Sequence, residues 1–343
     1  MKLSQKELKE ISIDSNTHLN EMLYRLEKSK IKFLLVFKEN KFIGYITPIM
    51  LKTEIQSFGL EYQTSSEKII YQYQSLYKEK ILSFKQLNSS FKIINKDNVI
   101  EVYKEEAKKT EREHDVDNVL IFCGGKGIRL GNLTNEVPKP LLEINKKPVL
   151  HRLALKVLNE GFKKITLATS FKHHVIESYF KENSLNIEIE FLYEEKPLGT
   201  AGAVVEFFKR NETKKLLCLN GDIFVFDDLN NICNFHTKED NVSTFGYTNY
   251  KIQFPYGVIG EIENKIDEKP ILSKKILSGV NVFSDDVLKT INQTPIDMNI
   301  MYEKLISNNL KVSTFLFGDD WIDIGNKTDL DIADRYMRVV EGS

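Results

Sequence analysis

From Asp117 onward, apolar and polar positions fall into blocks that alternate between two periods. Short, largely apolar runs at Val119–Phe122, Ile165–Ala168, Ile187–Tyr193, Lys215–Leu219, Val242–Tyr247 and Val258–Ile262 read as strands. Between several of them, Val149–Glu160, His174–Lys181, Gly202–Lys209 and Asn230–Lys238 carry the three-to-four-residue spacing of helices. Alternation of this kind predicts an α/β fold: a Rossmann-like, mostly parallel sheet with helices on both faces. Ligands of such sheets sit at the carboxyl ends of the strands.

The first third is patterned differently. Leu19–Lys28 sets Leu19, Met22, Leu23 and Leu26 on one helical face, with Asn16 or Thr17 available as a cap. Strand Phe33–Phe37, a charged turn and strand Phe42–Ile46 follow. Ser65–Lys78, Ser90–Ile94 and Val99–Tyr103 repeat the order helix, strand, strand. Two weakly similar units of about fifty residues predict an internal duplication in a smaller α+β domain. Glu105–Asp117 (EEAKKTEREHDVD) has no core positions and reads as a polar connection. The predicted boundaries are therefore 1–110, a linker 111–117, and 118–343.

Bulk properties narrow the partners. At 343 residues the chain has room for two domains, and its formal net charge of −1 gives no electrostatic case for nucleic acid or a membrane surface. No apolar run approaches the length of a membrane span or the core of a secretion signal, so the expected location is cytoplasmic. Cys123, Cys218 and Cys233 lack metal-ligand spacing, and Cys123 and Cys218 sit in apolar strand-like runs, so they read as buried reduced thiols.

The chemistry concentrates where the first of these strands ends. Val119–Phe122 breaks into Gly124, Gly125 and Gly127, followed by Arg129 and by Pro138-Lys139-Pro140. Glycines let backbone N–H groups approach an anion, and the two cations add the charge a polyphosphate needs. The spacing matches neither the Walker loop nor the dinucleotide fingerprint. Alone, such a run is as readily a tight turn.

GGKGIRLGNLT…PKPLL resembles the signature of sugar-1-phosphate nucleotidyltransferases, GG-x-G-T-R-L-x-P-L-T…PKP, with Ile128 and Asn132 departing from it. Further stretches fit the same family in order: Glu194–Gly202 (EEKPLGTAG), Leu219–Asp222 (LNGD), Tyr256-Gly257-Val258 with Glu268-Lys269-Pro270, and Trp321–Gly325 (WIDIG). The resemblance implies that Gly124, Gly125, Gly127, Glu194, Gly199 and Thr200 bind the nucleotide. Gly257, Glu268 and Lys269 would bind the sugar phosphate, and Arg129, Lys139 and Asp222 would carry catalysis. Asp222 and Asp323 would hold Mg²⁺, whose preference for hard oxygen ligands suits carboxylates and phosphates. Apart from the family, Asp222 reads as a turn residue, Asp323 as a helix cap and Glu268-Lys269 as a surface turn.

The base follows from Glu194, which stands where some relatives carry a glutamine that reads uracil or thymine. A carboxylate only accepts, which suits the adjacent N1–H and N2–H₂ donors of guanine and repels the carbonyls of uracil. GTP is therefore the expected donor, and the EEKPLGTAGA wording resembles guanylyltransferases for mannose or heptose 1-phosphate.

The first domain resembles a tandem CBS pair: it has Gly44-Tyr45-Ile46-Thr47 but Met50 where that family places an aspartate for ribose. This resemblance implies a packing and homodimerisation module, with an adenine nucleotide as the less favoured ligand. CBS units ahead of a short nucleotidyltransferase resemble guanylyltransferases for glucosamine 1-phosphate in legionaminic-acid synthesis. The expected reaction is guanylyl transfer to a sugar 1-phosphate. A uridylyl- or thymidylyltransferase and a non-catalytic nucleotide sensor are the alternatives. His173 and His174 read as solvated residues at a helix start.

Overall fold

The computed structural model describes residues 1–58, 64–72, 81–86, 89–96, 99–106, 110–254, 256–259, 265–268, 270–318 and 321–341. The chain forms two compact units. One comprises Met1–Lys109, Lys251–Lys274 and Asp331–Ser343; the other comprises Thr110–Tyr250 and Lys275–Leu330.

The first unit begins with α1 (Gln5–Glu10), whose Ser4 and Glu7 form a reciprocal capping box, then β1 (Ser12–Asp14) and α2 (Leu19–Lys28). The predicted face of α2 is buried as expected, but its cap is His18, and neither Asn16 nor Thr17 caps it. β2 (Leu34–Lys38) pairs parallel to β1 and antiparallel to β3 (Lys41–Ile46). α3 (Pro48–Phe58) follows and buries Met50, Leu51 and Ile55 in the core with Phe33, Leu34 and Ile46. Met50 is thus a packing residue. α4 (Ser66–Gln72) precedes β4 (Ile81–Gln86), β5 (Ser89–Lys96) and β6 (Val99–Glu106). These three form an antiparallel meander, so the second half repeats the helix and hairpin while its third strand pairs with the opposite sense to β1. The remainder of the predicted helix Ser65–Lys78, beyond Gln72, lies outside the described residues.

The predicted linker is no free tether. Its backbone and side chains fasten to the second unit: the Thr110 N–H donates to Asp228 Oδ2 (3.2 Å) and the Glu113 N–H to Asn234 Oδ1 (2.9 Å). His114 stacks on Phe162, and Val116 is fully buried. Polar side chains here find hydrogen-bond partners on a helix instead of water, a pattern that hydrophobic periodicity does not register.

The second unit continues with β7 (Asn118–Phe122), the short hairpin β8 (Glu143–Ile144) and β9 (Lys147–Pro148), α5 (Val149–Asn159), β10 (Lys164–Thr169), α6 (His173–Glu182) and β11 (Glu188–Tyr193). Then come α7 (Gly202–Arg210), β12 (Lys215–Asn220), β13 (Ile223–Val225), α8 (Leu229–Lys238) and β14 (Ser243–Gln253). A small antiparallel hairpin, β15 (Val258–Ile259) with β16 (Ile266–Asp267), belongs to the first unit. β17 (Ile271–Ser284), α9 (Met298–Ser307), β18 (Val312–Leu316), β19 (Trp321–Asp323) and α10 (Lys327–Glu341) complete the order.

One seven-stranded sheet, ordered β11-β10-β7-β12-β17-β14-β18, organises the second unit. β7 pairs parallel with β10 on one side and β12 on the other, whereas β17 enters antiparallel beside β12. Side chains along β7 alternate between two cores. Val119 and Ile121 pack with Leu153 of α5, Ile176 of α6 and Ile232 of α8, while Leu120 packs with Val204 of α7 and Met301 of α9. Helices therefore cover both faces, as the apolar runs predicted. Fully burying each such side chain contributes roughly 1.5–3 kcal/mol.

Candidate functional site

Burial on both faces pins β7, so its carboxyl end is a fixed platform. Phe122 lies level with Ala168 of β10 and Asn220 of β12. The loop that leaves it passes through Gly124 and Gly125 to Gly127, which takes a left-handed turn at φ +64. A Cβ at Gly127 would stand 2.8 Å from Thr134 Cγ2 and 3.2 Å from Lys139 Cβ, so the turn closes against the segment that carries Lys139. Thr134 reinforces it by donating its hydroxyl to the Gly131 carbonyl at 3.1 Å. Gly125 is exposed and its surroundings are open. Arg129 projects from the short helical turn Ile128–Thr134 and is exposed.

β12 delivers the next group. Asp222 stands in the turn between β12 and β13, where the Gly221 N–H donates to the Phe122 carbonyl at 3.0 Å. The LNGD turn is thereby held against the end of β7. Lys139, stiffened by Pro138 and Pro140, directs its ammonium onto the Asp222 carboxylate, and both side chains are largely buried. β13 and β19 then pair antiparallel with Ile223 opposite Asp323, and the Ile324 N–H donates to the Asp222 carbonyl at 3.0 Å. The two aspartates assigned from distant stretches of sequence are thus brought together.

Asp323 is the most perturbed carboxyl of the group. Burial first, then the charge of Asp222, pushes it up to about 6. Two groups that the sequence motifs did not single out share this corner. Asp329, at the start of α10, has its carboxyl raised by burial, and Tyr250, at the edge of β14, has its hydroxyl raised by burial and by Asp329 and Asp323. The signal for Asp329 was available in Asn326-Lys327-Thr328-Asp329, which spells a helix-start box.

Glu194 follows β11, and its backbone N–H donates to the Thr169 carbonyl at 2.8 Å. One carboxylate oxygen accepts the Leu198 N–H at 3.3 Å; the other lies 3.8 Å from where a Cβ on Gly124 would stand. Burial raises this carboxyl above its ordinary range. Gly199 and Thr200 make contacts within the protein. Gly199 sits at φ +80 with the Ile296 carbonyl 2.4 Å from any added Cβ. The Thr200 N–H donates to Asp297 Oδ1 (2.9 Å), and its hydroxyl accepts the Met298 N–H (2.8 Å). Both residues anchor the loop that carries Glu194 to the start of α9, so their polar groups are engaged within the protein.

The predicted sugar-phosphate residues Gly257 and Glu268 belong to the first unit. Gly257 and Glu268 flank the β15–β16 hairpin of the first unit, where a Cβ on Gly257 would meet Glu268 Oε2 at 3.1 Å. Lys269 lies outside the described residues. His173 starts α6, as expected of a helix-start residue, and its ring lies 4.5 Å from that of Tyr193.

The donor set around Asp222 fits a divalent cation. Ile223 lies opposite Asp323 and the Ile324 N–H donates to the Asp222 carbonyl, so two carboxylates, one on each of two paired strand ends, are available to one cation. Among the described residues no group of three or more His, Cys, Asp or Glu forms a closed metal cage. An open pair of carboxylates suits Mg²⁺, which completes its shell with water and substrate phosphates.

Residues 118–337 match the family model described as nucleotidyl transferase. The chain belongs to the nucleotidyl transferase family. Within that family it is similar to the D-glycero-alpha-D-manno-heptose 1-phosphate guanylyltransferase of Campylobacter jejuni, with 32% identity over 218 residues that cover 60% of this chain and 93% of the relative. It is also similar to the mannose-1-phosphate guanyltransferase of Pichia angusta, with 29% identity over 222 residues; this alignment covers 61% of each chain. HddC from Yersinia pseudotuberculosis, solved complexed with GMP-PN, superposes with a TM-score of 0.51 at 25% identity, covering 64% of this nucleotidyl transferase chain and 98% of that chain.

Proposed function

We propose that this nucleotidyl transferase moves a guanylyl group from GTP to a sugar 1-phosphate, releasing pyrophosphate. The observation that carries the reading is the convergence of Arg129, Lys139, Asp222 and Asp323 at the carboxyl ends of β7 and β12. The names of its guanylyltransferase relatives support the choice of donor.

In the reaction an oxygen of the sugar phosphate attacks the α-phosphorus of GTP in line, and the bond to the bridging oxygen of pyrophosphate breaks. The attacking phosphate is already an anion, so no side chain needs to remove a proton; the protein contributes orientation and charge. The glycine loop and Arg129 hold the β- and γ-phosphates. Lys139 exchanges its contact with Asp222 for the α-phosphate and steadies the charge that builds there. Asp222 and Asp323 would hold Mg²⁺, which when bound offsets the repulsion between two anionic reactants. Glu194 accepts from the N1–H and N2–H₂ of guanine, a role supported by its nearness to Gly124 and by the anchored loop behind it.

The relatives' names draw the sugar toward manno-configured 1-phosphates. The CBS-like segment ahead of a short catalytic unit draws it toward glucosamine 1-phosphate. Purified protein incubated with Mg²⁺, each nucleoside triphosphate, and glucosamine, mannose and manno-heptose 1-phosphates separates these by pyrophosphate release. Release with GTP and one sugar is the expected result. Release with UTP or dTTP alone overturns the Glu194 assignment, and no release with any pair overturns the reaction.

A further inference from the structure

We propose that Asp329 is a positioning residue of this site: it holds the Gly325–Asn326 turn so that the Asp323 carboxylate and the Arg129 guanidinium face one another across Gly325. The inference rests on the nucleotidyl-transfer reading above and adds to it a residue outside the motifs that define the family resemblance.

Three charged groups converge on one glycine. From the point where a Cβ on Gly325 would stand, Asp323 Oδ2 and Asp329 Oδ2 are each 3.0 Å away and Arg129 Nη1 is 3.5 Å away. Any side chain at 325 would fill the space they share. The turn that creates this meeting point is locked by a reciprocal pair: the Asn326 N–H donates to Asp329 Oδ2 at 3.0 Å, and the Asp329 N–H donates to Asn326 Oδ1 at 3.0 Å. Asp323 is three residues from Asn326 in sequence, so whatever fixes this turn also fixes how β19 presents its last side chain.

A helix-start carboxylate needs no burial to do its local work, since a cap operates in full contact with water. Asp329 is instead half-buried, with its carboxylate held by the Asn326 N–H beside Asp323 and Arg129. Withdrawing a carboxylate from water costs stability unless its partners replace the lost solvent, and here those partners belong to the phosphate-binding corner. Among the described residues Arg129 closes no ion pair with either aspartate, so its charge is aimed by them yet remains available to a phosphate. Asp329 therefore acts through Asp323 and Arg129 and touches no reacting atom itself.

Two substitutions separate positioning from charge. Asp329→Asn keeps an acceptor for the Asn326 N–H, whereas Asp329→Ala removes both acceptor and charge. With GTP and the preferred sugar 1-phosphate, Asp329→Ala is expected to lower kcat about tenfold and to raise the Mg²⁺ concentration for half-maximal rate several-fold. Asp329→Asn is expected to stay within about threefold of the parent on both readouts. A merely structural cap would lower the melting temperature without moving the Mg²⁺ requirement. Asp329→Ala matching the parent on both readouts overturns the proposal, as does Asp329→Asn being equally impaired. Should Asp329→Ala fail to fold by circular dichroism, Asn326→Ala removes the other half of the pair and is expected to give a few-fold loss in the same two readouts; no loss there overturns the proposal. An inactive parent protein would instead overturn the nucleotidyl-transfer reading.

Discussion

Lys139, on the short helical turn Lys139–Leu141, and Asp222, in the turn after β12, are 83 positions apart in sequence and form an ion pair. Each is held in place by its backbone, Lys139 by flanking prolines and Asp222 by the turn pressed against Phe122. The pair keeps an ammonium desolvated and oriented before any phosphate arrives. Asp222→Asn removes the anion at the centre of the site while preserving shape. Turnover, read as pyrophosphate release, is expected to fall about a hundredfold or more. The melting temperature should move by only about a few degrees. Unchanged turnover would remove Asp222 from the chemistry.

On the guanylyl-transfer reading, base choice rests on Glu194. Glu194→Gln exchanges an acceptor oxygen for a donor amide, so kcat/KM with GTP is expected to drop by about one to two orders of magnitude relative to UTP or dTTP. Parallel kinetics with the three triphosphates measure the ratio. An unaltered ratio would transfer base reading to another residue.

The corner around Asp323 is stable at the expense of its charge. A carboxyl pushed up to about 6 is neutral more readily in the folded chain than in the unfolded one. Its contribution is therefore favourable at acid pH and is lost as pH rises through about 6. With divalent ions chelated at pH 7.5, Asp323→Asn is expected to stabilise the protein by about 2 kcal/mol, and in a separate assay with Mg²⁺ present to abolish activity. Urea denaturation of the two proteins compares them; a destabilised variant would contradict the argument.

His236 titrates in the opposite sense. It is fully buried, its Nδ1 2.9 Å from Thr244 Oγ1 and its Nε2 3.0 Å from Ser284 Oγ. Burial, and then the charge of Lys215, pushes it down to about 4. The unfolded chain binds this proton more readily, so stability should decline as pH falls from about 6.5 toward 4. His236→Asn should flatten that decline, and denaturation midpoints at pH 7 and pH 5 test it.

Gly199→Ala tests the anchor behind Glu194. With φ +80 and a carbonyl 2.4 Å from the new methyl, the loop must shift or the helix start must give way. A destabilisation of about 2–4 kcal/mol is expected, together with weaker GTP binding by calorimetry. A variant with the parent's stability and affinity would show that the loop is not held there.

The parallel half of the sheet was legible because its strands are buried on both faces and therefore read as apolar runs. Asn118–Phe122 differs from expectation by one residue at one end, and Lys164–Thr169 by one residue at each end. β17 was not legible: Lys274 and Lys275 interrupt it, and Ser278, Gly279 and Asn281 break its apolar run, although the second half enters the centre of the sheet. α10 carries charges on every turn of its outer face, which conceals Ile332, Tyr336 and Val340. Within the site, motif residues could be named from the chain, but their meeting could not. Asp222 and Asp323 are adjacent only because β13 and β19 pair, and Thr200 is occupied only because α9 begins beside it.

The two compact units interleave along the chain. The core of the first unit contains Ile332 and Val339 beside Leu19, Phe33 and Ile46. A chain cut once, after residue 109, would leave the amino-terminal piece without those two side chains and the remainder with an apolar helix face suited to a partner it no longer has. The N-terminal segment is thus one of three stretches of chain that make up the first unit, and its core is incomplete without the last of them. Recombining it onto another chain would require carrying Lys251–Lys274 and Asp331–Ser343 in the same step.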